Sequence, residues 1–205
     1  MASEWLLIRD RHDVMMCSLM TQGFSGVPLL QQPARFIERI ASVPVLVVLM
    51  LLSVLFPAVL FPMHGIGDIK PLDLYFSYSP GQVYEHLAAL GAEGRSAYTC
   101  MALTSDLAFP VIYATALSIA LMLVLCKLLT PANRYLCLFP FLIVIADWCE
   151  NLSLAMVTRA FPERADAIVR SASFFTSLKW ALIALTVLML LTAVTFWIAR
   201  YIRGR

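Results

Sequence analysis

The chain has 205 residues, of which 61% are hydrophobic and 14% are charged, and its formal net charge is +2. Soluble domains carry about a quarter charged residues, so this composition predicts a membrane protein. The positive charge is small and its Arg residues are dispersed, which excludes nucleic acid as an expected partner.

Residues 1–42 form a predicted cytoplasmic N-terminal segment. The charged residues of the stretch 9–13 interrupt any apolar core, which argues against a cleaved signal peptide. From Pro33 to Ile40, Phe36, Ile37 and Ile40 fall on one side of a helix, with arginines opposite. Because Pro33 suits a first helical position, we predict a short interfacial helix that begins there and leads into the first span.

Four stretches are long and apolar enough to cross a membrane as helices, since a span needs about 20 residues. The predicted spans are 43–62, 101–126, 136–157 and 174–198. We therefore predict an all-α fold, a polytopic membrane four-helix bundle at 43–200 followed by a basic tail at 201–205. Lys and Arg are more numerous at the end of the bundle that carries both termini, which places both termini in the cytoplasm by the positive-inside rule.

The outer loop, residues 63–97, contains a predicted amphipathic helix at about 80–90. Ser79, followed by a proline and by Gln82 three positions later, matches a capping box. Apolar residues then recur at helical spacing as far as Gly91, which favours a helix end. Two roles stay open for this helix, a linker packed on the outer face of the bundle or a lid over an outward-facing cavity. As a lid it would place these residues near the mouth: Tyr84, Glu85, His86 and Arg95.

The third span contains Asp147, Glu150 and Asn151, whose spacing puts all three on one helix face. A charged side chain at the centre of a bilayer costs about 2.5 to 3.5 kcal/mol on insertion scales. Ionisable residues inside spans therefore tend to face a bundle interior and to serve a function. This face is the strongest indication of a site in the sequence.

Two other spans carry polar rows at a similar depth, as judged from about 1.5 Å of rise per residue. The row on the second span consists of Asp106, Pro110 and Tyr113. The row on the fourth span includes Thr176, Lys179 and Trp180. Pro110 cannot donate to the carbonyl of Asp106, so that oxygen is released for another partner. Three helices thus contribute to one predicted cluster in the outer half of the membrane.

The charges of this cluster do not balance, because Asp106, Asp147 and Glu150 face the single ammonium of Lys179. We expect one ion pair, between Lys179 and either Asp147 or Glu150, which leaves two acids. These acids contact water, share a proton or hold a ligand in one interpretation. In the other, the ion pair is a lock that fixes helix packing.

No metal, cofactor or disulfide is expected. The five cysteines include no Cys-x-x-Cys pair, and the histidines have no second ligand at metal-binding spacing. Phosphate-loop, dinucleotide-binding and hydrolase motifs do not occur in the sequence.

The segments 90–98, 106–113 and 147–151, in this order, resemble a poorly characterised family of small four-span membrane proteins, over residues 65–200. More distantly, a bundle with membrane-buried acids is similar to the sterol isomerase and sigma-2 receptor group. That resemblance implies an amphipathic, often cationic, ligand among acids and aromatics, and in the enzymes a proton transfer on a sterol. The acids here lie in different motifs and Lys179 would oppose a cation, so no residue roles carry over.

The leading hypothesis is an outward-facing pocket for a small amphipathic or lipid-like ligand. Asp147 and Glu150 would be its acid or base groups, Lys179 the counter-ion, and Asp106 with Tyr113 the entrance. Asn151, Thr176 and Trp180 would add contacts to the ligand. An isomerising or lipid-modifying enzyme is one form of this hypothesis. The alternatives are a proton- or ion-coupled carrier, which would need a homo-oligomer, and an accessory protein with a packing lock.

Overall fold

The computed structural model describes residues 28–63 and 72–204. Within these ranges the chain forms helices and no strands, which confirms the all-α prediction. Four helical stretches are long and apolar enough to cross a membrane, so the protein is an integral, multi-pass membrane protein. The predictions made for residues 1–27 and 64–71 lie outside the described residues.

Six α-helices follow one another in the described part of the chain. They are α1 (Pro28–Ile40), α2 (Val43–Met63), α3 (Pro80–Leu103), α4 (Ser105–Leu128), α5 (Phe141–Ala160) and α6 (Asp166–Arg203). Two 3-10 helices connect them, at Leu72–Leu74 and at Pro131–Leu138. The predicted third span starts at 136, whereas α5 starts at Phe141, because the preceding residues are taken up by the second 3-10 helix.

Helix α1 starts earlier than predicted, because Pro28 rather than Pro33 occupies its first position and Pro33 lies inside it. On the predicted apolar side, Ile37 is buried with Ala34, whereas Phe36 is 60% exposed. The buried face packs on α4 and on the 3-10 helix at Pro131–Leu138, where Arg134 forms an ion pair with Glu38.

Helix α3 begins with the predicted capping box. The backbone amide of Gln82 donates to Ser79 Oγ over 3.4 Å, and the backbone amide of Ser79 donates to Gln82 Oε1 over 2.8 Å. Gly91 has φ 64 and ψ −177, a left-handed conformation that interrupts the helical geometry. The helix resumes after Gly91 and continues to Leu103, so the predicted helix end is a break within α3.

Helices α5 and α6 share the most extensive contact of the bundle, and α4 packs against both. Helix α3 lies mainly against α5, and α2 mainly against α4. No residue in the apolar window of α2 at Val43–Leu60 is buried by the rest of the protein. Helix α2 therefore forms the edge of the bundle, while the α5–α6 contact forms its interior and positions the polar residues.

Candidate functional site

The polar face of α5 points into the bundle. Asp147, Glu150 and Asn151 are 7%, 0% and 4% exposed, whereas Trp148, which lies on another side of the helix, is 41% exposed. Residues three and four positions apart lie on the same side of an α-helix, so one face carries all three groups. The structure thus brings together the α5 residues that the sequence singled out.

Lys179 of α6 bridges both carboxylates of this face. Its Nζ lies 2.8 Å from Asp147 Oδ1 and 2.7 Å from Glu150 Oε2. These are the lengths of charge-assisted hydrogen bonds. The expectation that the lysine pairs with only one of the two acids is therefore wrong. The side chains of Lys179, Asp147 and Glu150 are 5%, 10% and 0% exposed, so the three charges are shielded from solvent.

The other oxygen of Glu150 faces two hydroxyl groups. Thr176 Oγ1 of α6 lies 2.6 Å from Glu150 Oε1, and the Tyr78 hydroxyl lies 3.4 Å from the same oxygen. The two hydroxyls are 3.0 Å apart. Both Thr176 and Tyr78 are buried, at 0% and 7% exposure. Each oxygen of Glu150 therefore has a neighbouring hydrogen-bonding group.

Tyr78 is a member of the cluster that the sequence analysis missed. It lies before α3, outside every predicted span, and is separated by 72 positions from Glu150. Neither apolar periodicity nor the spacing of acids marks such a residue. Burial, together with the nearby Glu150 carboxylate, raises the pKa of the Tyr78 phenol above its ordinary value, so this group donates rather than ionises.

Residues 75–79, called the strap from here on, carry Tyr78 to the cluster. The strap lies along α6 and is held by hydrogen bonds from Tyr78 N to Ser173 Oγ (2.9 Å), from Ser177 Oγ to Phe76 O (2.9 Å) and from Trp180 Nε1 to Tyr75 O (3.1 Å). Trp180, predicted to contact a ligand, thus binds the strap. The outer side of the strap is open, with Tyr75 and Phe76 at 40% and 66% exposure.

Asn151 connects the cluster to α4. Its Nδ2 donates to Asp147 Oδ2 over 3.1 Å and lies 3.4 Å from the backbone oxygen of Asp106. This oxygen is the acceptor that Pro110 leaves without its helical donor, as the sequence predicts. Asp106 is itself buried, at 6% exposure. The first turn of α4 is therefore linked to α5 by an amide side chain.

Tyr113 lies at one end of a row of aromatic rings. Its ring packs edge-on against Phe109 at 5.1 Å, and Phe109 stacks on Phe56 at 5.8 Å between ring centroids. Because Phe56 belongs to α2, this row extends from α4 to α2.

The first half of α3 docks on the connection between α5 and α6. The backbone amide of Ala165 donates to the Tyr84 hydroxyl. The guanidinium of Arg164 lies 4.7 Å from the centre of the Tyr84 ring, and that of Arg95 lies 4.4 Å from the centre of the Phe161 ring. Helix α3 thus covers the end of the bundle that the strap also covers.

The cluster is closed in this structure. Glu150 and Thr176 have 0% exposure. A cavity of about 530 Å³ does occur, but it lies between α4 and α6 towards the opposite end of the bundle, and Leu125 and Arg200 are among its lining residues. An outward-opening cavity at the acids would therefore require the strap to move.

The chemistry of the closed cluster is that of a buried ionic hydrogen-bonded network. Two acids, one amine, an amide and two hydroxyls converge from α5, α6 and the strap, and the backbone oxygen of Asp106 joins them from α4. In a region of low dielectric such charges interact strongly, so the loss of one changes the energy of all the others. The carboxylate oxygens can accept hydrogen bonds from a hydroxyl-bearing molecule as they do from Thr176 and Tyr78.

Across residues 28–63 and 72–204, no three His, Cys, Asp or Glu side chains are grouped as metal ligands. The four cysteines in these ranges are free thiols. Comparison of the chain with protein-family models, with curated proteins and with solved structures returned no match.

Proposed function

We propose that the cluster is a closed binding site for the polar head of a small amphipathic or lipid-like ligand. The ligand reaches it from the outward end of the bundle when the strap lifts, and both termini are cytoplasmic. The supporting observation is the position of the Tyr78 hydroxyl, 3.4 Å from Glu150 Oε1. Tyr78 lies in a connecting segment and not in a span. Its hydroxyl therefore occupies a position next to Glu150 that a ligand hydroxyl can take.

The attachment of the strap suits such a role. Three hydrogen bonds hold it to α6, and each contributes about 0.5 to 1.5 kcal/mol net. The exposed rings of Tyr75 and Phe76 add little apolar burial, so the buried ring of Tyr78 is the main apolar contact that lifting the strap would remove. Lifting the strap is therefore less costly than separating α5 from α6, whose contact is the most extensive of the bundle.

The charges favour a neutral, hydroxylated head over a cationic one. Lys179 already balances part of the acidic charge, at 2.8 and 2.7 Å from the two carboxylates, and would repel a second cation. In this proposal Asp147 and Glu150 accept hydrogen bonds from the ligand, and Lys179 keeps them in place. A monoacylglycerol has the required chemistry, with two hydroxyls and an apolar chain.

A packing lock is the second candidate, and the double bridge made by Lys179 favours it. Both carboxylates are satisfied by protein groups with little exposure, and this arrangement needs no ligand. In that case the cluster only fixes α6 against α5, and substitutions change stability without changing any binding.

Thermal unfolding of the full chain in phosphatidylcholine nanodiscs separates the two candidates. A monoacylglycerol should raise the unfolding temperature of the wild type, by an amount equivalent to about 2.7 kcal/mol at a hundred times its Kd. The alkane of equal chain length, which has no hydroxyls, should not. Glu150→Gln should lose the shift, and Glu163→Gln should keep it because Glu163 is exposed and lies beyond the end of α5.

Tyr78→Phe is an independent variant for the case in which Glu150→Gln unfolds the protein. Removing the competing hydroxyl should increase the shift that the monoacylglycerol causes. If the wild type shows no shift while Glu150→Gln lowers the unfolding temperature, the ligand proposal fails and the lock is the better account.

A further inference from the structure

A second feature of the bundle lies far from the cluster, in the groove between the C-terminal halves of α4 and α6. Its walls are almost wholly apolar, with Leu125 and Leu128 on α4 and Leu188 on α6. Thr192 and Arg200 are its polar lining residues. Arg200 is the last of the lining residues on α6, so it lies at the end of an apolar channel of about 530 Å³.

The charge around this end of the bundle is strongly one-sided. Of the described residues, the acid here is Glu38, and it is paired with Arg134. The cationic residues of the same end are Arg35, Arg39, Lys127, Arg134, Arg200 and Arg203. An apolar channel that ends at an arginine, within a basic surface, is complementary to an anionic head on an apolar chain.

The α6 side of the groove has the length of one leaflet of a bilayer. Its lining on α6 extends from Leu185 to Arg200, which corresponds to about 22 Å at 1.5 Å of rise per residue, while Leu125, Leu128 and Leu129 form the α4 wall. Half of a bilayer with its head groups is about 20 to 22 Å thick. A lipid lying along α6 therefore reaches from the middle of the membrane to the level of Arg200.

We propose that this groove binds an anionic phospholipid. One acyl chain lies between α4 and α6, and the phosphate of the head group pairs with the Arg200 guanidinium, whose planar donors match phosphate oxygens. The site is separate from the cluster of Asp147, Glu150 and Lys179. It does not depend on the proposed function and involves a different lipid chemistry.

Native mass spectrometry of the full chain tests this proposal, with phosphatidylglycerol and phosphatidylcholine of identical acyl chains supplied in equal amounts. Wild-type protein should retain phosphatidylglycerol in preference to phosphatidylcholine. Arg200→Gln should weaken that retention about fivefold, because an arginine near an anionic lipid contributes about that factor. Arg200→Lys should restore part of it, since the charge is kept.

Arg203→Gln is the matched control, because Arg203 lies one turn further along α6 and is not among the lining residues. It should weaken retention less than Arg200→Gln does, because its charge belongs to the basic surface but does not line the groove. Equal retention of the two lipids by the wild type, or equal effects of Arg200→Gln and Arg203→Gln, would overturn the proposal. A stable dimer that carries no phospholipid would also overturn it, because a second copy would then fill the groove.

Discussion

Replacement of Lys179 by methionine removes the ammonium that lies 2.8 Å from Asp147 and 2.7 Å from Glu150. Methionine preserves the length and much of the volume of the side chain, so the main change is the lost charge. Both carboxylates then stay buried without their bridging cation. Loss of one partner of a buried ion pair costs about 3 to 5 kcal/mol, and we expect a decrease of that size in the free energy of unfolding.

The triple variant Lys179→Met, Asp147→Asn, Glu150→Gln should recover most of this loss, because it removes the acids together with the amine. Exchange of a complete buried ion pair for neutral groups is often close to neutral in stability. Lys127→Met is the control for the loss of a lysine, since Lys127 is exposed in the last turn of α4. It should change stability by less than about 0.5 kcal/mol.

Equilibrium unfolding of these variants in mixed micelles, followed by tryptophan fluorescence, provides the measurement. A loss of less than about 1 kcal/mol for Lys179→Met relative to Lys127→Met would contradict this expectation, since the bridge would then contribute no more than a surface ion pair. The same holds if the triple variant is as unstable as the single one. In that case the instability would come from packing and not from charge.

Three further predictions concern residues outside the cluster. Gly91→Ala should lower stability by about 1 to 3 kcal/mol in thermal unfolding, because φ 64 with ψ −177 is a backbone region essentially restricted to glycine. An added Cβ meets no heavy atom within 4 Å, so only backbone strain acts. Burial lowers the pKa of His86. Since the unfolded chain then binds a proton more readily, stability should fall as the pH decreases below about 6.5, and His86→Phe should flatten this dependence between about pH 8 and pH 5. Cys137 is 0% exposed, so its thiol should react with iodoacetamide much more slowly than the exposed Cys100, as followed by mass spectrometry.

Regular helical features were the part of this structure that the sequence could predict. Helix periodicity places Asp147 and Glu150 on one face, and the rise per residue puts Lys179 at a similar depth, where the structure pairs all three. The missing amide of Pro110 likewise identified the Asp106 oxygen as an acceptor, and Asn151 lies close to it. These inferences depend on covalent geometry and on helix dimensions alone.

Features that depend on tertiary contact were not predictable in this way. Tyr78 enters the cluster because the strap docks on α6, and no periodic pattern encodes a contact across 72 positions. The stacking of Phe109 on Phe56 follows from the packing of α4 against α2. The double bridge of Lys179 depends on the approach of α6 to α5, which charge counting along the sequence does not include.

Hydrogen exchange at the strap is the most direct test of whether a ligand displaces Tyr78 from Glu150. The Tyr78 amide donates to Ser173 Oγ, so its exchange rate reports whether the strap is attached. The full chain in phosphatidylcholine nanodiscs would be measured with and without a monoacylglycerol. If the ligand replaces Tyr78 at Glu150, the Tyr78 amide exchanges faster when the monoacylglycerol is present, while the amides of α5 are unchanged or slower. Unchanged or slower exchange at Tyr78, at a monoacylglycerol concentration that raises the unfolding temperature, would contradict the account.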